Sequence, residues 1–277
     1  MRLVNGVLAD NLNLRDRAIQ FGDGVFRTLK VRAGQLEFWP QQYAKLVQDC
    51  ARIGITAPSE ATLLADIAQL APFDHSLKII ITRGESARGY ALPADIKPNR
   101  IVQLAALPAY AERLYLAGAK LVLCATRASW QPALAGIKHL NRLENVLARQ
   151  EWSDPAVFDG VMLDRDGWVV EGVMSNLFAL IDGVWCTPIL NESGVSGVYR
   201  SILLNDIACD EIPIVECKIS LAQLYAAEAV FMCNSLAACV PVQQMGEQSW
   251  PLLSGEIAAR LGQRATSSLL FIGNQSA

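Results

Sequence analysis

Lysine is scarce in this chain, and one of the seven, Lys138, sits where an amine could do covalent chemistry. It follows Ala-Leu-Ala-Gly-Ile and precedes His-Leu-Asn-Arg-Leu, so it stands at a strand or loop end and not on a polar helical face. Partial burial there would favour the neutral amine that Schiff-base chemistry requires. The same lysine also reads as an ordinary surface residue, because lysines are seldom buried. Glu171, taken alone, reads as a solvated glutamate at a strand end. Other chemistries lack their residues. The two histidines, His75 and His139, stand in no metal-ligand spacing with cysteines or carboxylates, which argues against a zinc site. There is no Gly-x-x-x-x-Gly-Lys-Ser/Thr phosphate loop, and the stretch from Phe21 to Arg27 fails the dinucleotide fingerprint because Arg27 occupies the third glycine position.

The elements that must position these residues can be read from periodicity. Residues 1–9 and 24–39 read as strands with a hairpin turn at Gly34-Gln35. Helices are expected over 40–53, with Tyr43, Leu46, Val47, Cys50 and Ile53 on one face, and over 59–70 behind a Ser-Glu-Ala-Thr cap. Strands return at 78–83 and 100–107. A linker is expected over 108–118, with the domain boundary near residue 112. Beyond it come strands at 121–125, 161–170, 177–185 and 212–218. Helices are expected over 139–152, with Leu140, Leu143, Val146 and Leu147 as the apolar face, over 198–208, and over 251–261. The last ten residues read as a tail. Hairpins mixed with helices, without regular strand-helix alternation, predict an α+β protein of two units.

Composition agrees with a folded protein. The chain has 277 residues, of which 52% are hydrophobic and 18% charged, and at this length roughly three quarters of the unfolded surface is buried on folding. The 24 basic and 27 acidic residues are scattered, giving a net charge of −3 and no basic stripe for a polynucleotide. Seven cysteines without a Cys-x-x-Cys pair read as reduced thiols, and the first ten residues lack the apolar stretch of a signal peptide, so a cytoplasmic location is expected. The longest uncharged run, 229–246, is too polar to span a bilayer. No membrane or nucleic-acid partner is expected.

Six short motifs coincide in order: Asp16-Arg17-Ala18 with Phe21-Gly22-Asp23-Gly24; Arg83-Gly84 with Arg88-Gly89-Tyr90; Gly136 to Glu144 around Lys138; Glu171-Gly172-Val173-Met174-Ser175-Asn176; Gly197-Val198-Tyr199-Arg200; and Cys233-Asn234-Ser235-Leu236. Together they cover about residues 3–245, and in them the chain resembles the fold type IV, pyridoxal-phosphate-dependent aminotransferase-like family. The resemblance implies a smaller N-terminal α/β domain over 1–112, a larger C-terminal domain with a mixed, barrel-like sheet over 113–277, pyridoxal 5'-phosphate at the domain interface, and a homodimer.

The resemblance also implies roles. Lys138 is the catalytic amine that holds the cofactor, and Glu171 is the carboxylate facing the pyridine nitrogen. Ser175, Asn176, Gly197, Val198, Asn234 and Ser235 belong to the cofactor-binding motifs, Gly197 and Val198 as a helix start offering N–H groups to phosphate. Lys45 stands where relatives carry a phosphate-binding arginine, and lysine supplies charge without the bidentate fork. Arg88 matches an arginine for a substrate carboxylate, and Arg27, Thr28, Asn141 and Arg142 are further candidates to face the substrate, Arg27 and Thr28 foremost. His139 is expected to pack or hydrogen-bond locally. Within the family the motif around Lys138 leans toward the branch that eliminates pyruvate from 4-amino-4-deoxychorismate to give 4-aminobenzoate for folate synthesis. The alternative on the same scaffold is transamination of a D-amino acid or a branched-chain amino acid.

Overall fold

The computed structural model describes residues 1–110, 112–207, 214–252 and 269–271. The chain divides into two compact units. The first holds Met1–Pro108 and also Ile137–Asn141, a stretch that a continuous boundary near residue 112 leaves in the second. Its elements are β1 (Arg2–Val4), β2 (Val7–Leu8), α1 (Arg17–Phe21), β3 (Gly24–Arg32), β4 (Gln35–Glu37), α2 (Trp39–Arg52), α3 (Glu60–Leu70), β5 (His75–Thr82) and β6 (Asn99–Ala105).

Strand β3 is the spine of this unit. Its alternation sends Val25, Arg27, Leu29 and Val31 to one face, all buried, and Phe26, Thr28 and Lys30 to the other. β5 pairs with it along its whole length, from Gly24 opposite Thr82 to Val31 opposite His75. On the other edge β4 covers only Val31 and Arg32, leaving the start of β3 to another partner. Helix α2 carries Pro40 in its first turn and buries Trp39, Gln42, Leu46, Asp49 and Cys50. The buried stripe is therefore rotated from the expected one: Val47 lies outside it, and a carboxylate, Asp49, lies inside. Ser59 caps α3 by accepting from the Thr62 N–H, as the sequence predicts.

The second unit contains α4 (Glu112–Leu116), β7 (Ala119–Leu123), α5 (Leu143–Arg149), β8 (Val157–Leu163), β9 (Val169–Gly172), β10 (Asn176–Ile181), β11 (Val184–Pro188), α6 (Val198–Ile202), β12 (Ile214–Cys217), α7 (Leu221–Ala226), β13 (Ala229–Asn234), β14 (Ala238–Met245) and β15 (Gln248–Ser249). The expected linker thus forms α4 in part. Among the described residues, nine strands make one mixed sheet in the order β12-β11-β10-β13-β14-β7-β8-β9, with β15 on β14. The far strand β9 returns against β10 and β11, which curls the sheet into the expected barrel-like form. Leu177, Val230, Met232, Val240 and Val242 are among the side chains that fill its core, and Phe178 stacks on Phe231 with ring centroids 4.8 Å apart. One last strand, β16 (Leu269–Phe271), belongs to the first unit and pairs with β4, so the C-terminal end is not wholly a tail. The helix expected over 251–261 lies outside the described residues from 253 on.

Four of the expected elements differ in the structure. The strand expected over 177–185 is a hairpin, because Asp182 and Gly183 adopt φ of 50° and 74° as a two-residue turn requires. The strand expected over 161–170 likewise breaks at Asp164, whose carboxylate accepts from the Asp166 and Trp168 N–H groups. The helix expected from 139 starts only at Leu143, and the helix expected over 198–208 runs as α6 for five residues and then as a π-helical turn over Leu203–Ile207.

Asp159, on β8, is the most demanding polar residue of the second unit. It is fully buried, and its carboxylate takes the Ser175 hydroxyl and the Gly160 and Met174 N–H groups, so it shapes the turn that follows Glu171. Burial outweighs these donors and pushes Asp159 up to about 6. The folded chain therefore holds this proton more tightly than the unfolded chain, and the favourable contribution, fully present below the unfolded value near 3.8, is lost as pH rises through 6. A shift of that size corresponds to about 3 kcal/mol. Urea unfolding of the wild type and Asp159→Asn should show the wild type gaining on the variant by up to that amount as pH falls from 7 to 4; parallel profiles would contradict the assignment.

Candidate active site

In the first unit, residues 137–141 occupy the open edge at the start of β3. The Phe26 N–H donates to the Lys138 carbonyl at 2.9 Å, the Leu140 N–H donates to the Gly24 carbonyl at 3.0 Å, and Val25 pairs with His139 as an antiparallel bridge. This pairing keeps the stretch extended and explains why the helix starts late. The glycines of Phe21-Gly22-Asp23-Gly24 make room for it. A Cβ on Gly22, whose φ is 64°, would strike the Asn141 amide, and one on Gly24 would strike the Ile81 carbonyl and Leu140. Asn141 is occupied here, its amide donating to the Gly22 carbonyl. Lys138 is half-buried, and its Nζ lies 4.7 Å from the centre of the Phe26 ring, on the face of β3 that Thr28 shares.

On the opposite face, Arg27 turns into the sheet-helix layer. Its guanidinium pairs with Asp49, and both side chains are nearly inaccessible, at 3% and 0% exposure. Lys45 Nζ holds the other Asp49 oxygen at 2.6 Å, and the Lys138 N–H donates to Asp49 Oδ2 at 3.1 Å. Arg27 and Thr28, adjacent on a strand, project to opposite faces, so the two do not serve one substrate together, and Arg27 is committed to Asp49. Burial lowers Arg27 to about 9, and burial with the charges of Arg27 and Arg52 lowers Lys45. Arg88 lies exposed on the loop after β5. Arg17 pins that loop, donating to the Ser86 hydroxyl and the Gly89 and Tyr90 carbonyls, while its Nε pairs with Asp23 at 2.8 Å. Asp23 also takes Arg83 at 2.7 Å, and these two arginines hold its carboxyl below the usual range against the cost of burial.

In the second unit, Glu171 is buried at the end of β9. Its Oε2 accepts from the Val195 N–H at 2.9 Å and from the Asn176 amide at 3.3 Å. Asn176 ties the surroundings together, donating also to the Val195 carbonyl and accepting from the Gly197 N–H at 3.1 Å. The Gly197 N–H is thus spent within the chain, and Val198 is the first residue of the α6 start. Ser175 donates to Asp159. Asn234 accepts from the Leu236 and Ala237 N–H groups and donates to the Met174 carbonyl at 3.4 Å, closing the turn that carries Ser235. Arg142 is mostly buried beside Glu144, and burial lowers it against the charges of Glu171 and Glu144. Arg200 reaches away to Thr187, Pro188 and Glu216, where it fastens β11 to β12.

Each unit holds a residue of the kind that a pyridoxal phosphate needs. A half-buried amine against an aromatic face could hold an aldehyde carbon, and a buried, fixed carboxylate could keep a ring nitrogen protonated. Sequence reasoning missed Asp49, Asp159 and Phe26. Neither Asp49, which lies outside the stripe expected for α2, nor Asp159 left a signal that separates it from any other aspartate.

Comparison with known proteins shows the family. The profile of the amino-transferase class IV family matches residues 24–245. An aminodeoxychorismate lyase of Vibrio harveyi is 36% identical over 86% of this chain and 89% of its own, and a D-alanine aminotransferase of Bacillus licheniformis is 27% identical over 89% of each. The crystal structure of 4-amino-4-deoxychorismate lyase from Pseudomonas aeruginosa superposes with a TM-score of 0.90 at 42% identity, covering 95% of this chain and 97% of that one. The branched-chain amino acid aminotransferase of Escherichia coli shares the fold, with a TM-score of 0.83 at 20% identity over 99% of both chains. With the family profile spanning both the Lys138 and the Glu171 motifs, the chain belongs to the class IV aminotransferase family.

Proposed function

We propose that this protein is a pyridoxal-phosphate-dependent carbon–oxygen lyase that converts 4-amino-4-deoxychorismate to 4-aminobenzoate and pyruvate, the aromatic product serving folate synthesis. The observation that carries this reading is the extended seating of Lys138 on β3, in a chain 36% and 42% identical to two lyases named for that substrate. When bound, the cofactor supplies an electron sink for the pair left at the amine-bearing carbon of the substrate. The rest falls to the chain. Lys138 Nζ would hold the cofactor and, as a free amine, would be the base that takes the proton from the amine-bearing carbon. The ether C–O bond to the enolpyruvyl group breaks as the ring becomes aromatic, and Lys138 returns the proton to the departing group, which leaves as pyruvate. Substrate therefore equals the sum of the two products, and no oxidant or second substrate is consumed.

Glu171 serves the same cofactor from its ring nitrogen, held by the Val195 N–H and the Asn176 amide. Lys45 and Val198 take the phosphate, with Gly197, Asn234, Ser235, Ser175 and Asn176 shaping the turns beside them. Arg88 and Thr28 receive the substrate, Arg88 at a carboxylate, and its loop is pre-set by Arg17. The reading includes a homodimer. Leu143, Val146 and Leu147, the apolar side of α5, are 69%, 51% and 49% exposed, an unfavourable arrangement for a helix face that stays in water. The reading includes a cytoplasmic location, in keeping with six described cysteines that are all free thiols.

With enzymatically prepared aminodeoxychorismate, the loaded protein should release 4-aminobenzoate and pyruvate in equal amounts above a no-protein control. Amino transfer to a 2-oxo acid without 4-aminobenzoate would replace the lyase by a D-amino acid or branched-chain transaminase. Glu171→Gln should still bind the cofactor but lose roughly a hundredfold in kcat, the scale of one misplaced electrostatic partner; unchanged kcat would remove Glu171 from the site. Sedimentation should give twice the 30.1 kDa chain mass, and Leu143→Glu with Leu147→Glu should halve it. A monomeric wild type would refute the dimer.

A further inference from the structure

Asp49 carries no role in the family reading, yet it is the most completely buried charge beside Lys138. One oxygen takes Lys45 Nζ, and the other takes both the Arg27 guanidinium and the Lys138 main-chain N–H. Its position on α2 is fixed by packing, since Leu46 and Cys50 on the same helix face are 1% and 0% exposed. A carboxylate accepts several donors at once, with two oxygens and about four lone-pair directions, so a single rigid group can fix groups arriving from a helix, a strand and a strand edge. Lys45 and Arg27 both face this carboxylate, so it keeps a cationic partner when Arg27 is removed.

We propose that Asp49 is a positioning residue for the cofactor: one buried carboxylate fixes both the peptide of Lys138 and the ammonium of Lys45, so that the covalent anchor and the phosphate anchor keep a constant separation. Arg27 is the counter-ion of this hub and contacts no ligand. The proposal rests on the reading of Lys138 and Lys45 as cofactor anchors. It differs from a purely structural role of the Arg27–Asp49 pair, in which either partner would matter equally.

Three variants separate the two: Arg27→Met, Arg27→Met with Asp49→Asn, and Arg27→Met with Asp49→Ala. Each is measured for pyridoxal phosphate affinity by equilibrium dialysis and, without cofactor, for hydrogen exchange at the Lys138 amide. Arg27→Met keeps the carboxylate and should stay within about threefold of wild type in both. Both double variants, which leave no stranded arginine, should weaken cofactor affinity about tenfold or more by freeing Lys45, and the alanine variant should also exchange the Lys138 amide about tenfold faster. Double variants that match Arg27→Met in both measurements would overturn the proposal, as would an Arg27→Met variant that loses as much as they do. If the alanine variant does not fold, the isosteric asparagine variant decides through affinity. A wild type that binds no pyridoxal phosphate would refute the cofactor reading itself, and the exchange data would still show whether Asp49 holds the Lys138 peptide.

Discussion

Residues 137–141 could have begun a helix, and much of the first unit is arranged so that they do not. Three main-chain groups around Lys138 are committed elsewhere: its N–H to Asp49, its carbonyl to Phe26, and the Leu140 N–H to Gly24. Main-chain polar groups removed from water must find partners, so the stretch stays extended while those partners hold. This constraint brings Lys138 Nζ over the Phe26 ring instead of leaving it on a solvated helix turn. It also accounts for Gly22 and Gly24, for the short reach of β4 along β3, and for a carboxylate inside the apolar stripe of α2.

The second unit handles its charges by the same economy of donors. Glu171, Asn176, Val195 and Gly197 form one linked set, and Asp159, Ser175 and the turn after Glu171 form another. Buried polar groups are costly unless satisfied, and satisfied networks hold their members in one arrangement. Several residues that the motifs mark for cofactor binding therefore spend their side chains on each other. Their contribution is the fixed shape of the turns, with Glu171 as the group those turns orient.

Much of this was legible in the residues. Strand β3 and helix α3 follow from alternation and a serine cap, and the motifs that hold Lys138 and Glu171 stand out by their order in the chain. Hairpins were lost where Asp182-Gly183 and Asp164 interrupt continuous apolar runs, since a local turn signal had to outweigh the run around it. The helix start at 139 was misread because periodicity reports which residues are apolar and not which backbone edge is available to pair. Leu143, Val146 and Leu147 do form a stripe, but this chain leaves it exposed. Arg27 looked like a substrate ligand from its neighbourhood, whereas the two-residue period of a strand already places it on the face opposite Thr28. Asp49 and Asp159 depend on long-range partners, and nothing in their local spacing separates them from surface aspartates.

The central claim is that the fold selects Lys138, among seven lysines, as the amine that holds pyridoxal phosphate. Borohydride reduction of the cofactor-loaded protein, followed by peptide mapping, tests it directly. The account predicts that the phosphopyridoxyl group is found on Lys138 alone. A label on Lys45 or Lys78, with Lys138 unmodified, would contradict it.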